Sequence, residues 1–337
     1  AHHIAADAWS LQVLLGDPAA CYGDIVRGRD WSLPPLAIPE REFAAWPRAV
    51  TSQALARDID FWRAELAGAP PVLALRTDRP RPPAMEFRGA RHALEIPAEL
   101  AAALRALGQR EGATLFRTLL AAYALLLRQW SDQDDLLIGT PVAGRTRVET
   151  EPLIGAFLNT LVFRVRLDGD PAFTELLGRV RDLALRAFGH ADVPFNRLVE
   201  ALTVRRTAGR SPLIHVQFRL QTVPLAPLEF PGLEARLLDL DYGYVKGDLG
   251  LELVSRGDAL AGFIEYSTEL FDAPTIARMH DDFLRLLRQI SAQPAARLRA
   301  LAAAVPPKPE TRAMAATDPS SPRSLKGARR QAVSAAP

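Results

Sequence analysis

Apolar residues recur along the chain with two different periods, and these periods predict both strands and helices. Residues 160–167 alternate, with four large apolar side chains on one face and two arginines and a valine on the other, which predicts a half-buried strand. Residues 214–220 alternate in the same way. Residues 114–130 instead place four apolar side chains at intervals of three or four, which predicts a helix packed on a core.

The remaining patterns complete a mixed set of elements. Further helices are predicted at 7–22, 59–66, 97–109, 171–188, 196–202 and 272–289, and further strands at 91–96, 136–140, 233–240, 248–254 and 259–267. Asp7 and Asp272 are the expected N-caps of the first and last helices, and Gly16-Asp17-Pro18 is expected to interrupt the first. Helices and strands alternate early and strands cluster later, so the fold class is α/β, a mixed sheet with helices packed on it.

Composition narrows the class of protein. The 337 residues are 48% hydrophobic and 24% charged, as in ordinary globular proteins, and Cys21 is the only cysteine. A single thiol excludes an internal disulfide and a thiolate metal cluster, and it fits a reducing cytoplasm. No apolar run approaches the roughly 20 residues of a membrane helix. The chain begins at Ala1, without Met, so we expect a fragment of a longer polypeptide.

The net charge of +2 is unevenly spread. Residues 308–337 carry six basic against two acidic side chains, a net +4, which leaves −2 on the rest of the chain. The body therefore lacks the basic field that nucleic-acid binding requires. Large apolar residues almost vanish after residue 305, so the end of the chain is predicted to be a linker or disordered tail.

One short constellation carries candidate chemistry, the segment His2-His3-Ile4-Ala5-Ala6-Asp7. Histidine is the side chain best suited to accept a proton near neutral pH, and an acidic residue four positions on could hold its imidazole or the turn that presents it. A surface histidine pair at a chain end explains the same residues equally well. A metal site is disfavoured, because adjacent histidines point in different directions and no second ligand cluster follows.

The other titratable and nucleophilic residues favour structural roles. The remaining histidines are scattered, at positions 92, 190, 215 and 280. Asp134-Asp135 is interpreted as a turn before a strand, and no serine lies in a GxSxG context.

Several longer motifs, in order, resemble the condensation domains of nonribosomal peptide synthetases. AHHIAADAWS is similar to the HHxxxDG signature of that family. The resemblance as a whole covers roughly residues 1–295. Its further motifs are FAAWPR, DFWRAELAGAPPVLALRTDRPRP, DDLLIGTPVAGRTR, IGAFLNTLVFR, HADVPFNRLVEAL, RTAGRSPLIHVQFRLQ and FIEYSTELFDAPTIARM.

The resemblance implies a chloramphenicol-acetyltransferase-like fold of two lobes with a reaction tunnel between them. Residues 1–50 would be the end of the first lobe and carry the HHxxxD motif. Residues 51–300 would be the second lobe, and residues 301–337 the linker or tail. With the bulk of the first lobe upstream, the isolated chain is expected to have little or no activity.

The resemblance also implies roles for individual residues. His3 matches the histidine that contacts the acceptor amine, as general base or as orienting hydrogen-bond partner, and His2 matches the structural histidine before it. Asp7 matches the aspartate that faces away from the site and pairs with an arginine. We expect that arginine to be Arg145, in a partly buried, bidentate pair that fixes the loop presenting His3.

Other matched positions have less definite roles. Asn159 lies in a family motif without an assigned function, as a possible tunnel or lobe-interface residue. Arg206, Arg210 and Pro212 are expected to shape a loop at the lobe interface. Ala8 replaces the glycine of the signature, which puts full activity in question because glycine often marks an unusual backbone conformation.

The implied reaction joins two carrier-bound thioesters by an amide bond. The partners would be upstream and downstream peptidyl carrier domains of the same megasynthetase, which bring the phosphopantetheine arms, so no directly bound cofactor is expected. A noncatalytic docking platform that recruits a tailoring enzyme and an epimerisation domain of the same fold remain alternatives. A relative that esterifies alcohols with acyl-CoA fits the second-lobe motifs less well.

Overall fold

The computed structural model describes residues 5–31, 33–37, 52–145, 147–202, 211–221, 229–235 and 240–303. The chain divides into a unit of residues 1–307 and a unit of residues 308–337. The second unit lies wholly outside the described residues. So do His2, His3, Arg206 and Arg210, whose predicted roles remain predictions.

Eight α-helices and six strands form the described part of the chain. The helices are α1 (Ala8–Val26), α2 (Ser52–Leu66), α3 (Ala98–Arg110), α4 (Leu115–Ser131), α5 (Phe173–Gly189), α6 (Phe195–Ala201), α7 (Ala273–Ala292) and α8 (Leu298–Ala303). The strands are β1 (Gly89–Ile96), β2 (Asp135–Val142), β3 (Asn159–Arg166), β4 (Val216–Gln221), β5 (Leu249–Arg256) and β6 (Ala259–Ser267).

The six strands form one mixed sheet in the order β1-β6-β5-β4-β2-β3. The pairs β2/β4 and β4/β5 are parallel and the other three pairs are antiparallel. The β2/β3 ladder ends where Val142 pairs with Asn159. Residues 143–158 form the loop between these two strands. The loop therefore lies at one end of the last two strands of the sheet, of which β3 is the edge strand.

Helix α4 is the centre of the helical layer. It packs against α3, α5 and α7, and residues from Thr118 to Leu127 are buried without interruption. A helix that is apolar on all sides is stable only when it is covered on all sides, as here. The mixed α/β fold predicted from the sequence pattern is confirmed.

The structure differs from the sequence prediction at several elements. The first helix is not interrupted, since α1 contains Pro18 and continues to Val26. Residues 233–235 and 240 belong to no ladder, apart from an isolated bridge between Phe230 and Leu233. Helix α8 was not predicted; it buries Leu298 and Leu301, so residues 301–303, which were expected to be linker, belong to a helix.

Strand β3 is also more buried than its alternation suggested. Arg164 is 7% exposed, because its guanidinium pairs with Asp135 and donates to the carbonyls of Glu65 and Ala67 at the end of α2. Burying a charged side chain is costly unless it is paired and hydrogen-bonded, and these contacts give Arg164 a carboxylate partner and acceptors on all three of its nitrogens. None of the helices within the described residues has the length and hydropathy of a membrane span.

Candidate functional site

Asp7 connects the start of α1 to the loop that joins β2 and β3. It is the N-cap of α1, as predicted, and its Oδ1 accepts hydrogen bonds from the Ser10 amide at 2.8 Å and the Ser10 hydroxyl at 2.7 Å. Its Oδ2 accepts from the Phe157 amide at 3.0 Å, and its own amide donates to the Gly155 carbonyl at 3.2 Å. With 2% exposure and both oxygens occupied, this carboxylate serves as an anchor of the loop.

Arg145 lies beside Asp7, and its side chain is 1% exposed. Its Nη2 donates to the Ser10 hydroxyl at 2.8 Å and reaches Asp7 Oδ1 at 3.3 Å, while Nη1 donates to the Thr150 carbonyl. The expected pairing of Asp7 with Arg145 is thus present. The expected bidentate geometry is wrong, because the second arm of the guanidinium binds a loop carbonyl and Ser10 lies between the charges.

Aromatic side chains complete the surroundings of Arg145. Its guanidinium carbon lies 3.8 Å from the centroid of the Phe157 ring and 5.9 Å from that of Trp9. The Trp9 indole N–H donates to the Glu151 carbonyl at 2.9 Å, a further link between α1 and the loop. A planar, weakly hydrated guanidinium can stack on a ring in this way, whereas a lysine ammonium cannot.

The pKa of Asp7 reflects two opposing effects. Burial raises it, but the hydrogen bonds from Ser10 and Phe157 and the charge of Arg145 together bring it below its ordinary value of 3.8. Burial lowers the pKa of Arg145, an effect that Asp7 and Glu151 oppose. An arginine nevertheless keeps its proton in proteins, so the pair is ionised at neutral pH.

Two glycines allow the two ends of the 143–158 loop to lie close together around Phe157. Gly144 has φ +66°, and a Cβ there would lie 1.9 Å from the Phe157 carbonyl oxygen. A Cβ on Gly155 would lie 2.7 Å from the Phe157 ring. Ala8, in contrast, is an exposed residue in the first turn of α1 without a positive φ, so its methyl group strains no backbone here.

Asn159 organises a second loop, the one that precedes α6. Its Nδ2 donates to the carbonyls of Ala191 and Val193 at 2.8 Å each, and its Oδ1 accepts from the Phe195 amide at 3.0 Å. Helix α6 begins after Pro194, whose side chain cannot accept a hydrogen bond from the first turn. The side-chain oxygen of Asn159, on β3, supplies this acceptor.

The predicted structural histidines lie in structural contacts. The His190 ring contacts Asp58 at 2.7 Å and stacks on Phe61 at 3.9 Å. His92 and His280 are hydrogen-bonded to each other at 3.0 Å. The pair Asp134-Asp135 is held by arginines, with Arg128 and Arg164 as the respective partners.

The sequence interpretation missed Ser10, Gly144, Gly155 and Phe157. Ser10 enters that interpretation only among the serines that lack a GxSxG context. Its spacing of three from an N-cap aspartate nevertheless indicates that its amide binds that carboxylate. The contacts of Asp7 with Gly155 and Phe157 span about 150 residues, and no local pattern indicates them.

Comparison with known proteins shows the family to which the chain is similar. The family model described as condensation domain matches residues 1–311. A linear gramicidin synthase of Brevibacillus parabrevis is 42% identical over 296 residues, which are 87% of this chain and 6% of that protein. Phosphinothricin tripeptide synthetase PhsC of Streptomyces viridochromogenes is 40% identical over 302 residues, 89% of this chain and 28% of that protein.

The fold matches solved structures as well. The X-domain from teicoplanin biosynthesis has a TM-score of 0.80 and 30% identity, over 88% of this chain and 69% of that chain, and its complex with OxyB matches equally well. The chain thus spans a small share of the curated synthetases and about two-thirds of the solved domain. The matched family and the shared fold agree with the chloramphenicol-acetyltransferase-like architecture that the motifs implied. The chain belongs to the condensation domain family.

Proposed function

We propose that this chain takes part in amide-bond formation between two carrier-bound thioesters during nonribosomal peptide synthesis. The donor is an acyl or peptidyl thioester on one carrier domain, and the acceptor is an aminoacyl thioester on the next. The observation that carries the proposal is the match of residues 1–311 to the condensation family, together with relatives of about 40% identity that are peptide synthetases.

The proposed chemistry needs little activation by the protein. The acceptor nitrogen forms a bond to the donor carbonyl carbon, the carbon–sulfur bond breaks, and the thiol of the donor arm is released. The proton lost by the amine ends on the departing sulfur, and His3 either relays it as general base or orients the amine by a hydrogen bond. Because a thioester is already activated, holding the two tethered substrates in contact supplies much of the rate.

The anchored loop gives Asp7 and Arg145 a supporting role in this proposal. Every hydrogen bond of Asp7 goes to backbone or to a buried side chain, so it does not act as an acid or base. His3 precedes Asp7 by four residues, and the contacts at Asp7 fix the chain at that point. Preorganisation of a catalytic side chain by buried hydrogen bonds is a common requirement of enzyme sites.

The test uses the complete polypeptide encoded by the gene, with donor and acceptor carriers loaded with aminoacyl groups. Amide formation is followed by intact-protein mass spectrometry for the wild type, His3→Ala and the control His92→Ala. His92 lies on β1, four strands from β2 and hence roughly 20 Å from the 143–158 loop. We expect product from the wild type and the control and a loss of about 10²- to 10⁴-fold in His3→Ala.

A noncatalytic docking platform is a second candidate, favoured by the likeness to the teicoplanin X-domain, which has been solved in complex with OxyB. This candidate predicts that wild type makes no amide from several matched substrate pairs while it still binds a carrier domain or a tailoring oxygenase. Amide formation that depends on His3 would exclude it.

A further inference from the structure

The Ser10 hydroxyl lies at the centre of the contacts between α1 and the 143–158 loop. Ser10 is fully buried, and its Oγ is within hydrogen-bond distance of four polar atoms. These are Asp7 Oδ1 at 2.7 Å, Gly155 O at 2.7 Å, Arg145 Nη2 at 2.8 Å and Gly155 N at 3.0 Å. A hydroxyl carries one proton and two lone pairs, so only three of the four contacts can be hydrogen bonds at one time.

The identity of the partners decides which three form. Arg145 Nη2 and the Gly155 amide can only donate, so they occupy the two lone pairs of Ser10. The single proton must choose between the Asp7 carboxylate and the Gly155 carbonyl. A hydrogen bond to an ionised acceptor is roughly twice as strong as one between neutral groups, and the Gly155 carbonyl already accepts from the Asp7 amide. The proton therefore goes to Asp7.

This assignment makes Ser10 the main connection between the two charges. The path from Arg145 to Asp7 through Ser10 consists of contacts of 2.8 and 2.7 Å, whereas the direct contact is 3.3 Å. Ser10 also belongs to α1, while Arg145 and Gly155 belong to the loop. One hydroxyl thus joins the helix, the ion pair and the loop backbone.

We propose that Ser10 is a positioning residue for amide formation, because its hydroxyl fixes the start of α1 against the 143–158 loop and so fixes the segment that carries His3. The catalytic part of this inference rests on the proposed function. Ser10 itself does not touch the reacting groups. Its effect reaches them through the loop and through Asp7, which follows His3 by four residues.

The activity experiment compares wild type, Ser10→Ala and Ser10→Thr in the complete polypeptide with loaded carriers. Ser10→Ala removes the acceptor of the Gly155 amide and leaves Arg145 Nη2 with only its longer contact to Asp7. We expect kcat to fall about 10- to 100-fold, as for a misplaced catalytic group. The KM for the acceptor carrier is expected to stay within about twofold, since a positioning defect acts on the transition state. Threonine retains the hydroxyl and is expected to restore most of kcat.

Ser131→Ala is the matched control. Ser131 is 8% exposed, and its hydroxyl donates to the Leu127 carbonyl at 2.8 Å at the end of α4, away from the loop. The Ser131→Ala substitution also removes a buried serine hydroxyl, and it is expected to leave kcat unchanged. An equal fall in kcat for Ser131→Ala and Ser10→Ala, or a wild-type kcat in Ser10→Ala, would overturn the proposal.

A second measurement does not depend on activity. Hydrogen–deuterium exchange is expected to rise in Ser10→Ala both in peptides from residues 1–10 and in peptides from residues 147–158, and to stay at the wild-type level in Ser10→Thr. Exchange unchanged at either segment refutes the coupling. If wild type makes no amide, the proposed function fails, and the exchange result still decides whether Ser10 couples the helix to the loop.

Discussion

At the residue scale, four hydrogen-bond donors converge on the Asp7 carboxylate: the Ser10 amide and hydroxyl, the Phe157 amide and Arg145 Nη2. Such a site selects a carboxylate over an amide, because an amide must turn one N–H toward a donor. The neighbouring Arg145 is buried and loses its counterion if Asp7 is neutralised. Removal of one partner from a buried ion pair is among the costliest single changes in a protein.

Asp7→Asn is therefore expected to lower the free energy of unfolding by about 3 kcal/mol, measured by urea denaturation of the 337-residue chain. Asp24→Asn is the control on the same helix, since Asp24 pairs with the largely exposed Arg29, and we expect a change within about 0.5 kcal/mol. Equal losses in the two variants would show that the Asp7 contacts do not stabilise the fold.

The same pair predicts the sign of an acid dependence. The folded pKa of Asp7 lies below its ordinary value of 3.8, so its contribution to stability is present above that value and is lost as pH falls through the folded pKa. The difference in urea midpoint between wild type and Asp7→Asn is expected to be constant above about pH 5 and to shrink from there down to about pH 2.5. A difference that stays constant over this range would contradict the account.

At the element scale, Gly144 is the glycine of the 143–158 loop that is both in the left-handed region and in close contact with another part of the backbone. Gly144 combines a positive φ with a backbone oxygen 1.9 Å from the position of a Cβ. Gly169 has φ +83° but no atom within 4 Å of that position, so it isolates the cost of the backbone conformation alone. Comparing substitutions at the two glycines therefore separates the cost of a positive φ from the cost of a steric clash with the Phe157 carbonyl.

Gly144→Ala is expected to destabilise the chain by about 3 kcal/mol or more, and Gly169→Ala by about 1 kcal/mol. Thermal or urea unfolding of both variants gives the comparison. Similar costs at the two glycines would mean that the approach of Gly144 to Phe157 is not required.

The packing of α7 on β1 contains a pair of histidines, His280 and His92, whose ring nitrogens are 3.0 Å apart. Burial lowers the pKa of His280 below 6.5, His92 lowers it further, and Asp281 opposes them. The unfolded chain then binds a proton at a pH where the folded chain does not. Stability is full above 6.5 and falls as pH decreases toward the folded pKa.

Urea denaturation at about pH 7.5 and about pH 5.5 tests this expectation. The wild type is expected to lose more stability on acidification than His280→Gln, which has no titrating ring. Identical losses in both proteins would show that the histidine pair does not sense pH.

Most helices and strands of this chain can be predicted from its sequence, but the contacts between distant elements cannot. Strand β3 and helix α4 follow from periodicity alone, while the burial of Arg164 depends on α2, which a strand pattern cannot show. Helix α8 was missed because a six-residue helix has too few turns to show a period. Likewise Asp7 was recognisable as an N-cap, whereas its bond to the Phe157 amide depends on the fold.

At the scale of the whole molecule, the sheet brings the 143–158 loop close to the start of α1. The β2/β3 ladder ends at Val142 and Asn159, so the loop between them turns back toward the start of α1, where Asp7, Ser10 and Arg145 meet. Asn159 at the same point holds the next loop in front of α6. A fixed scaffold of this kind suits the reaction proposed above, in which positioning of two tethered substrates would supply much of the rate.

The most direct test of the account is the single-turnover rate of amide formation in the complete polypeptide, with both carriers loaded and His3 either intact or replaced by alanine. We predict measurable amide formation by the wild type and a rate lower by about 10²- to 10⁴-fold in His3→Ala. No amide from the wild type with several matched substrate pairs, or equal rates in the two proteins, would contradict the account.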